Sequence, residues 1–143
     1  MPDLAQRLAA SVSTLVDRFK LRADGPYAGL GLAETSIVAR TAASPVPSVQ
    51  GEIAHALGLP KTTMASAVRR LEERGLVARA ASPDDRRVQL MRLTSEGEAL
   101  AGHLMDAQLH ASRAMLDALS EEDRVTLVHL MERIADTANN DSG

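Results

Sequence analysis

The sequence predicts a mainly α-helical protein with one small β-ribbon, and three observations support this fold class. Towards both ends of the chain, apolar residues recur at steps of three and four, which is the spacing of amphipathic helices. Between residues 76 and 93, two short runs suited to strands flank a Pro-Asp-Asp turn, which is typical of a β-hairpin. Phe19 and Tyr27 are the only aromatic residues, and there is no cysteine. The core is therefore expected to be aliphatic, without disulfides or thiolate metal sites.

The stretch from residue 49 to residue 75 has the pattern of two helices joined by a tight turn. Gly58-Leu59-Pro60 separates a short helix over 51–57 from a second helix over 61–74, and Gly75 can adopt the left-handed conformation that ends a helix. At about 100° per residue, the second helix has one packing face and one exposed face. The packing face carries Met64, Val68, Leu71 and Gly75, and the exposed face carries Thr62, Ser66, Arg69, Arg70 and Glu73.

A β-hairpin is predicted after the second helix. Its strands cover 76–80 and 88–93, and the turn between them is 82–87. Proline presets φ at the second turn position, and the two aspartates accept local hydrogen bonds. The tip of the hairpin therefore carries the adjacent arginines Arg86 and Arg87. Two helices joined by a short turn and followed by such a ribbon predict a winged helix-turn-helix.

Before this unit, the sequence predicts two helices. The first covers 3–22, with apolar residues on one face, and the second covers 32–43, with Ile37, Val38 and Ala42 towards the core. The proline-rich stretch after residue 43 ends the second helix and leaves room for one or two extended residues. Ser48 is a candidate cap for the helix that follows.

After the ribbon, Thr94 is a candidate cap for a long helix whose apolar stripe continues to Leu119. Ser120-Glu121-Glu122-Asp123 resembles a capping box that starts a last helix, and residues 139–143 are expected to be a frayed polar tail.

The apolar stripes of the terminal helices exceed what a small winged core can cover. Residues 1–143 are therefore interpreted as one unit, in which a DNA-binding core over 32–94 is flanked by dimerisation helices over 3–24 and 95–138. The expected assembly is a homodimer, and a monomeric helical bundle is the alternative.

The charges are unevenly distributed along a chain whose net charge is −3. Residues 61–92 contain eight basic and four acidic residues, whereas the rest of the chain contains eight basic and fifteen acidic residues. A basic island on an acidic body can orient a protein on a polyanion. The alternative is a solvated helix with ordinary ion pairs, such as Arg69 with Glu73.

The segments E-I-A, L-G-L, R-R-L-E-E-R-G-L-V and S-P-D-D-R-R-V-Q-L-M-R-L-T-S-E-G occur in this order over residues 49–100. This order resembles the MarR family of winged helix-turn-helix regulators. The most specific match is Asp85-Arg86-Arg87 followed by the Leu-Thr-Ser-Glu-Gly of residues 93–97. Pro60 departs from the family pattern, which often has a capping serine or threonine there. The resemblance implies a dimeric DNA-binding repressor of nearby genes.

The second helix and the ribbon tip supply the candidate DNA contacts. A recognition helix lies in the major groove and offers its N-terminal residues to base edges. Arg70 is expected to bind a phosphate, whereas for Arg69 a base contact stays open. Arg87 is the family-matched candidate for the minor groove, Arg86 shares that role or binds the backbone, and Asp85 orients an arginine. On the helix, the contact residues are Lys61, Thr62, Thr63, Ser66, Arg69 and Arg70.

The resemblance also implies a small anionic aromatic effector, bound where the dimer arms meet the winged core. Its pocket would lie between the first helix, residues 32–43 and the start of the long helix, where Arg18, Arg40 or His103 could receive a carboxylate. No feature of the sequence identifies this ligand.

Other functional classes have weaker support. His103 and His110 are seven residues apart, and His129 with Glu132 is an i, i+3 pair, but zinc needs more convergent donors, so neither a metal nor a cofactor is expected. No phosphate-binding glycine loop or nucleophile motif is present, which argues against an enzyme. A helical adaptor without DNA binding is the rival interpretation. No signal pattern or membrane-length apolar run occurs, so a cytoplasmic protein without membrane contact is expected.

Overall fold

Six helices and three short strands lie in the part of the chain that the structure, a computed structural model, describes, which is residues 1–18, 28–44 and 46–141. This order of elements confirms the predicted class, mainly helical with a small ribbon. In chain order, the elements are α1 (Leu4–Arg18), α2 (Leu32–Ala42), β1 (Ser48–Val49), α3 (Gln50–Leu57), α4 (Lys61–Glu73), β2 (Val77–Ala81), β3 (Gln89–Leu93), α5 (Ser95–Asp117) and α6 (Glu121–Asp141).

The winged unit closes its own aliphatic core. Met64, Val68 and Leu71, which the helical spacing places on the packing face of α4, are at most 1% exposed, and Ala67 joins them. Gly75 was expected on the same face, but it is exposed because it lies past the helix end, with φ +73°. The buried apolar residues come from α2, α3, α4, the sheet and α5: Ile37, Val38, Ile53, Met64, Ala67, Val68, Leu71, Leu76, Val77, Met91, Leu100 and Leu104.

The three strands form one antiparallel sheet in the order β1-β3-β2. β1 is only two residues long, and its Ser48 pairs with Met91 of β3. The expectation that Ser48 caps the next helix is wrong. Ser48 is buried in the sheet, and Val49 occupies the N-terminal capping position of α3 without a side-chain cap. β2 and β3 each begin one residue later than predicted, at Val77 and Gln89.

Helix boundaries differ from the predictions at several points. α2 buries Ile37 and Val38 as expected, but Ala42 is exposed at its last turn. α5 ends at Asp117 and not at Leu119. α6 continues through Asp141, so the prediction of a frayed tail is wrong for residues 139–141, while 142 and 143 lie outside the described residues.

Two predicted features at the chain ends are only partly described. α1 covers Leu4–Arg18, and residues 19–22 of the expected first helix and 19–24 of the expected dimerisation segment fall outside the described ranges. At the start of α6, the backbone N–H of Asp123 donates to the Ser120 hydroxyl over 3.3 Å, which confirms that Ser120 acts as the predicted cap.

Thr94 and Gly97 form a junction between three parts of the fold. These are α4, the predicted recognition helix, the hairpin of β2 and β3, called the wing, and α5. The Thr94 hydroxyl donates to the Gly75 carbonyl at 2.6 Å and accepts from the Gly97 N–H at 3.1 Å, which confirms Thr94 as the cap of α5. The Thr94 N–H donates to the Leu76 carbonyl at 3.1 Å. A Cβ on Gly97 would lie 2.0 Å from that same carbonyl oxygen. The Thr-Ser-Glu-Gly motif is therefore required by close backbone packing.

α1 and α6 contribute no buried residue to the core. Each carries a stripe of exposed apolar side chains, for example Leu4, Leu8 and Val12 on α1. On α6 the exposed apolar side chains are Val125, Leu127, Val128, Leu130, Met131 and Ile134. Within the described ranges, the helices are too short or too polar to cross a membrane.

Candidate nucleic-acid interface

The solvent side of α4 is polar, and it is basic from Lys61 to Arg70, before the exposed Glu72 and Glu73 at the C-terminal end. Because Met64, Ala67, Val68 and Leu71 fix one side of the helix in the core, its opposite side must face solvent. All six helix residues proposed from the sequence are exposed there: Lys61, Thr62, Thr63, Ser66, Arg69 and Arg70.

The N-terminus of α4 is open. Pro60 is its capping residue and supplies no side-chain hydrogen bond to the first turn, so the N–H groups of Thr62 and Thr63 receive no side-chain cap. Uncapped N–H groups and the positive end of the helix dipole favour an anion such as phosphate. Proline in place of a capping serine or threonine thus leaves this end available to a ligand.

The wing and the recognition helix share a cleft of about 280 Å³. Lys61 at the start of α4 and Arg87 from the wing both line it, together with Gln50 at the start of α3. The fold therefore brings cationic side chains 26 positions apart in the sequence to one concavity. This cleft is the clearest spatial link between the helix residues and the wing residues.

Asp85 holds Arg87 in a fixed orientation at the wing tip. Its two carboxylate oxygens accept from Nε and Nη2 of Arg87, each at 3.1 Å, and Oδ1 also accepts from the Arg87 backbone N–H at 3.0 Å. The Arg87 side chain nevertheless remains 91% exposed. The side-chain and then the backbone hydrogen bonds from Arg87 lower the pKa of Asp85 below its ordinary value of 3.8. The ion pair is therefore present above that lowered pKa and is lost only as the pH falls through it.

Other arginines of the basic island are held by the protein itself. Arg79 on β2 donates to Glu72 on α4 through Nε and Nη2, at 3.3 and 2.9 Å, which ties the wing to the recognition helix. The hydrogen bond from Arg79 lowers the pKa of Glu72. Nη1 of Arg74 donates to the Ala28 carbonyl at 2.8 Å. These arginines serve mainly to join elements.

Four basic residues of the island remain exposed without an ion pair inside the described part of the chain: Lys61, Arg69, Arg86 and Arg92. The alternative interpretation paired Arg69 with Glu73, and the structure does not show this pair. Exposed positive charges without an ion-pair partner suit a polyanion, and one of them, Lys61, lies at the open N-terminus of α4.

Arg70 has a partner that the sequence did not suggest. Its Nε donates to Oε1 of Glu34 in the first turn of α2, at 2.6 Å. Glu34 lies 36 positions earlier in the chain and is only 4% exposed. A lone glutamate in a helical first turn is common, so no pattern in the sequence indicated this contact.

A cavity of about 130 Å³ lies between α2 and α5, in the region expected to hold an effector. The three residues expected to receive the effector's carboxylate, Arg18, Arg40 and His103, are not among the residues that line this cavity. Arg40 instead lines a wider cleft beside residues 43–44 and 46–49, together with Glu52. The cavity is lined by Leu32, Thr35, Ser36, Ala39, Ala42, Ala101, Leu104, Met105 and Gln108.

Among the described residues, no group of three or more His, Asp or Glu side chains is arranged to hold a metal ion. The candidate nucleic-acid interface consists of a recognition helix with an uncapped N-terminus and a wing with an oriented arginine, and the aliphatic core lies beneath them. This geometry defines a winged helix-turn-helix nucleic-acid-binding protein.

Comparisons with known proteins identify the family. A model described as MarR family matches residues 28–88. The transcriptional regulator PecS of Dickeya dadantii is 30% identical over 135 residues, which are 93% of this chain and 81% of PecS. The transcriptional repressor NicR of Pseudomonas putida is 30% identical over 94 residues, which are 66% of this chain and only 60% of NicR. The crystal structure of the PcaV regulator of Streptomyces coelicolor with its natural ligand is similar with a TM-score of 0.64 and 25% identity, covering 94% of this chain and 91% of that one.

The chain belongs to the MarR family. It is a transcriptional regulator that binds DNA. The resemblance drawn from the motifs over residues 49–100 and the predicted winged helix-turn-helix fold are confirmed.

Proposed function

We propose that this protein is a cytoplasmic homodimeric repressor that binds a pseudo-palindromic operator and controls nearby genes. The observation that carries the proposal is the cleft in which Lys61 of the recognition helix and Arg87 of the wing meet. A helix in the major groove and a wing on the flanking minor groove would contact DNA on both sides of that cleft.

Each proposed contact follows from the position of its side chain. Thr62, Thr63 and Ser66 are short and lie in the N-terminal half of α4, where they can reach bases, thymine methyl groups or phosphates. Arg69, which is exposed and makes no ion pair in the described ranges, is the candidate for a guanine or a phosphate. Lys61 adds a charge beside the open helix end.

On the wing, Arg87 is proposed to enter a narrow minor groove, with Asp85 fixing the angle of its guanidinium. Arg86 would bind the adjacent backbone. Arg70 is proposed to bind a phosphate on the other side of the recognition helix.

The dimer is proposed from the exposed apolar stripes of α1, α5 and α6, which belong to the segments 3–24 and 95–138 outside the core at 32–94. Apolar faces of this extent usually mark an interface. Two copies related by a twofold axis would place their recognition helices about 34–36 Å apart, one turn of DNA.

An effector is proposed as well. PcaV has been crystallised with its natural ligand. In this chain, the cavity between α2 and α5 is the proposed place for a small anionic aromatic compound. Arg18, Arg40 and His103 do not line it, so the polar side chains of Thr35, Ser36 and Gln108 are the candidates to contact its carboxylate. Filling this cavity would shift α2 against α4 and release the operator.

The proposed function is tested by selecting binding sites from random duplexes with the wild-type protein and with Arg69→Ala and Arg87→Ala variants. We expect the wild type to select a site with twofold symmetry and to bind it more weakly as salt rises. Each variant should bind that site about tenfold more weakly while remaining folded.

The matched control is Arg113→Ala, which removes one exposed positive charge from α5, outside the winged core. It should leave the affinity nearly unchanged. Selection of no site, or of a site without twofold symmetry, would contradict the proposal and favour a helical adaptor or another mode of binding.

A further inference from the structure

Glu34 is a buried carboxylate whose position is fixed by the fold. It lies in the first turn of α2 and only 6% of its side chain is exposed. Its Oε2 sits beside Gly31, the capping residue of α2, at 3.0 Å from where a Cβ on that glycine would lie. The positive end of the helix favours a carboxylate at this point. Glu34 therefore has little freedom to move.

The contact between Glu34 and Arg70 uses only part of the guanidinium. Nε of Arg70 donates to Oε1 of Glu34 at 2.6 Å, while the Arg70 side chain remains 56% exposed. Within the described residues, neither terminal nitrogen of Arg70 has a hydrogen-bond partner. Four of the five N–H groups of this arginine are thus left for another acceptor.

The hydrogen bond at Nε leaves the end of the guanidinium open to another acceptor, and there one N–H of each terminal nitrogen points the same way. Because the group is planar, these two N–H groups lie in one plane with the Nε–H. Two terminal nitrogens in a fixed plane match the geometry of a phosphate. The arrangement on the wing is comparable, because Asp85 holds Arg87 while that side chain remains 91% exposed.

A second hydrogen bond, one helical turn after Arg70, also connects the end of α4 to the residues around the start of α2. Arg74, four residues after Arg70, donates through Nη1 to the Ala28 carbonyl at 2.8 Å. Residues 28–34 therefore hold two successive turns of the recognition helix. With α4 held to α2 and to the Ala28 carbonyl, the hydrogen bond to Glu34 limits the directions that the Arg70 side chain can take.

We propose that Glu34 is a positioning residue of the DNA interface, which aims the terminal nitrogens of Arg70 at a backbone phosphate. This inference rests on the proposed function and adds a residue on α2 that does not touch DNA. Neutralising Glu34 removes a negative charge near the DNA, which by charge alone would strengthen binding. The proposal therefore makes the opposite prediction from simple electrostatics.

The test measures affinity for a duplex selected by the wild-type protein, over a series of salt concentrations. We expect Glu34→Gln to weaken binding about tenfold and to reduce the salt slope by about one, as for the loss of one phosphate contact. Glu34→Gln in an Arg70→Ala background should have no further effect. Glu73→Gln is the matched control, because Glu73 is an exposed glutamate on α4 with no ion pair in the described ranges, and it should leave the slope unchanged.

Arg70→Lys supplies a test that does not alter the buried residue. Lysine has one charged group, which can pair with Glu34 or with a phosphate but cannot serve both in a fixed plane. We expect this variant to bind nearly as weakly as Arg70→Ala while unfolding at the same temperature as the wild type. Full affinity of Arg70→Lys would overturn the proposal, because a simple charge would then suffice.

The remaining outcomes separate this inference from the proposed function. If the wild type binds the selected duplex and Glu34→Gln binds it equally or more tightly with the same slope, Glu34 is only structural and the inference fails alone. If the wild type itself shows no salt-dependent binding to duplex DNA, the proposed function fails, and this inference fails with it.

Discussion

The winged core and the terminal helices differ in how far their apolar side chains are buried. In the core, Ile37, Leu71 and Met91 are fully buried by other residues of the same chain. On α1 and α6, no residue is buried, and side chains such as Leu4 and Ile134 are 78% and 61% exposed. The core is therefore complete in one chain, whereas the terminal helices have apolar faces that one chain leaves uncovered.

The two regions also differ in charge. The basic island over 61–92 lies on the core, while α6 begins with three consecutive acidic residues, Glu121, Glu122 and Asp123. A basic polar surface suits a polyanion, and an apolar stripe with acidic flanks suits another protein surface. Each region therefore suits a different kind of partner: DNA for the core and, under the proposed function, a second copy of the chain for the terminal helices.

The largest effect is expected from a substitution that disrupts packing between α5 and the wing. A Cβ at residue 97 would lie 2.0 Å from the Leu76 carbonyl oxygen, so Gly97→Ala must separate α5 from the wing. We expect it to lower the free energy of unfolding by about 3 kcal/mol. Gly102→Ala on the same helix is the control, since a Cβ there meets nothing within 4 Å. It should stabilise the protein by up to about 1 kcal/mol through helix propensity. Urea denaturation measures both, and equal stability of the two variants would disprove the close contact.

The next largest effect is expected on dimerisation through the terminal helices. Ile134→Glu places a charge on the apolar stripe of α6, and if that stripe is buried in a dimer, the dimer dissociation constant should rise about a hundredfold. The core should keep its structure, because Ile134 buries nothing there. His129→Glu adds the same charge about 140° around the helix from Ile134 and should change little. Sedimentation equilibrium and circular dichroism would measure these outcomes, and a dimer unaffected by Ile134→Glu would rule out this face as the interface.

The smallest effect is expected at the wing tip, where Asp85 orients Arg87. Asp85→Asn removes the carboxylate that orients Arg87, and we expect DNA affinity to fall about threefold although a negative charge is lost. Asp84→Asn removes the neighbouring charge, which makes no ion pair in the described residues, and should leave the affinity unchanged or slightly higher. Because the pKa of Asp85 is lowered, the difference between the two variants should persist from pH 5 to pH 8. Fluorescence anisotropy would measure it, and identical responses would show that Asp85 does not orient Arg87 on DNA.

Features that depend on local periodicity could be predicted from the sequence. The spacing of Met64, Val68 and Leu71 identified the packing face of α4, because a helix repeats every 3.6 residues whatever lies around it. The turn chemistry before Arg86 located the hairpin, and Thr94 was recognised as a cap from its place before the long helix.

Features that depend on distant contacts could not be predicted in the same way. Ser48 was interpreted as a helix cap, but pairing with Met91, 43 positions later, takes it into the sheet. The approach of Gly97 to Leu76 and the ion pair of Glu34 with Arg70 likewise join residues that no local pattern connects. Sequence spacing thus located the exposed residues of α4, while the buried residue beneath Arg70 became visible only in three dimensions.

The proposed function requires two copies, joined by their terminal helices, to present two winged cores to one DNA site. The most direct test is the mass of the complex that the wild-type protein forms with a single selected duplex, measured by native mass spectrometry or sedimentation. We expect two chains on each duplex. One chain bound to one duplex with undiminished affinity would contradict it.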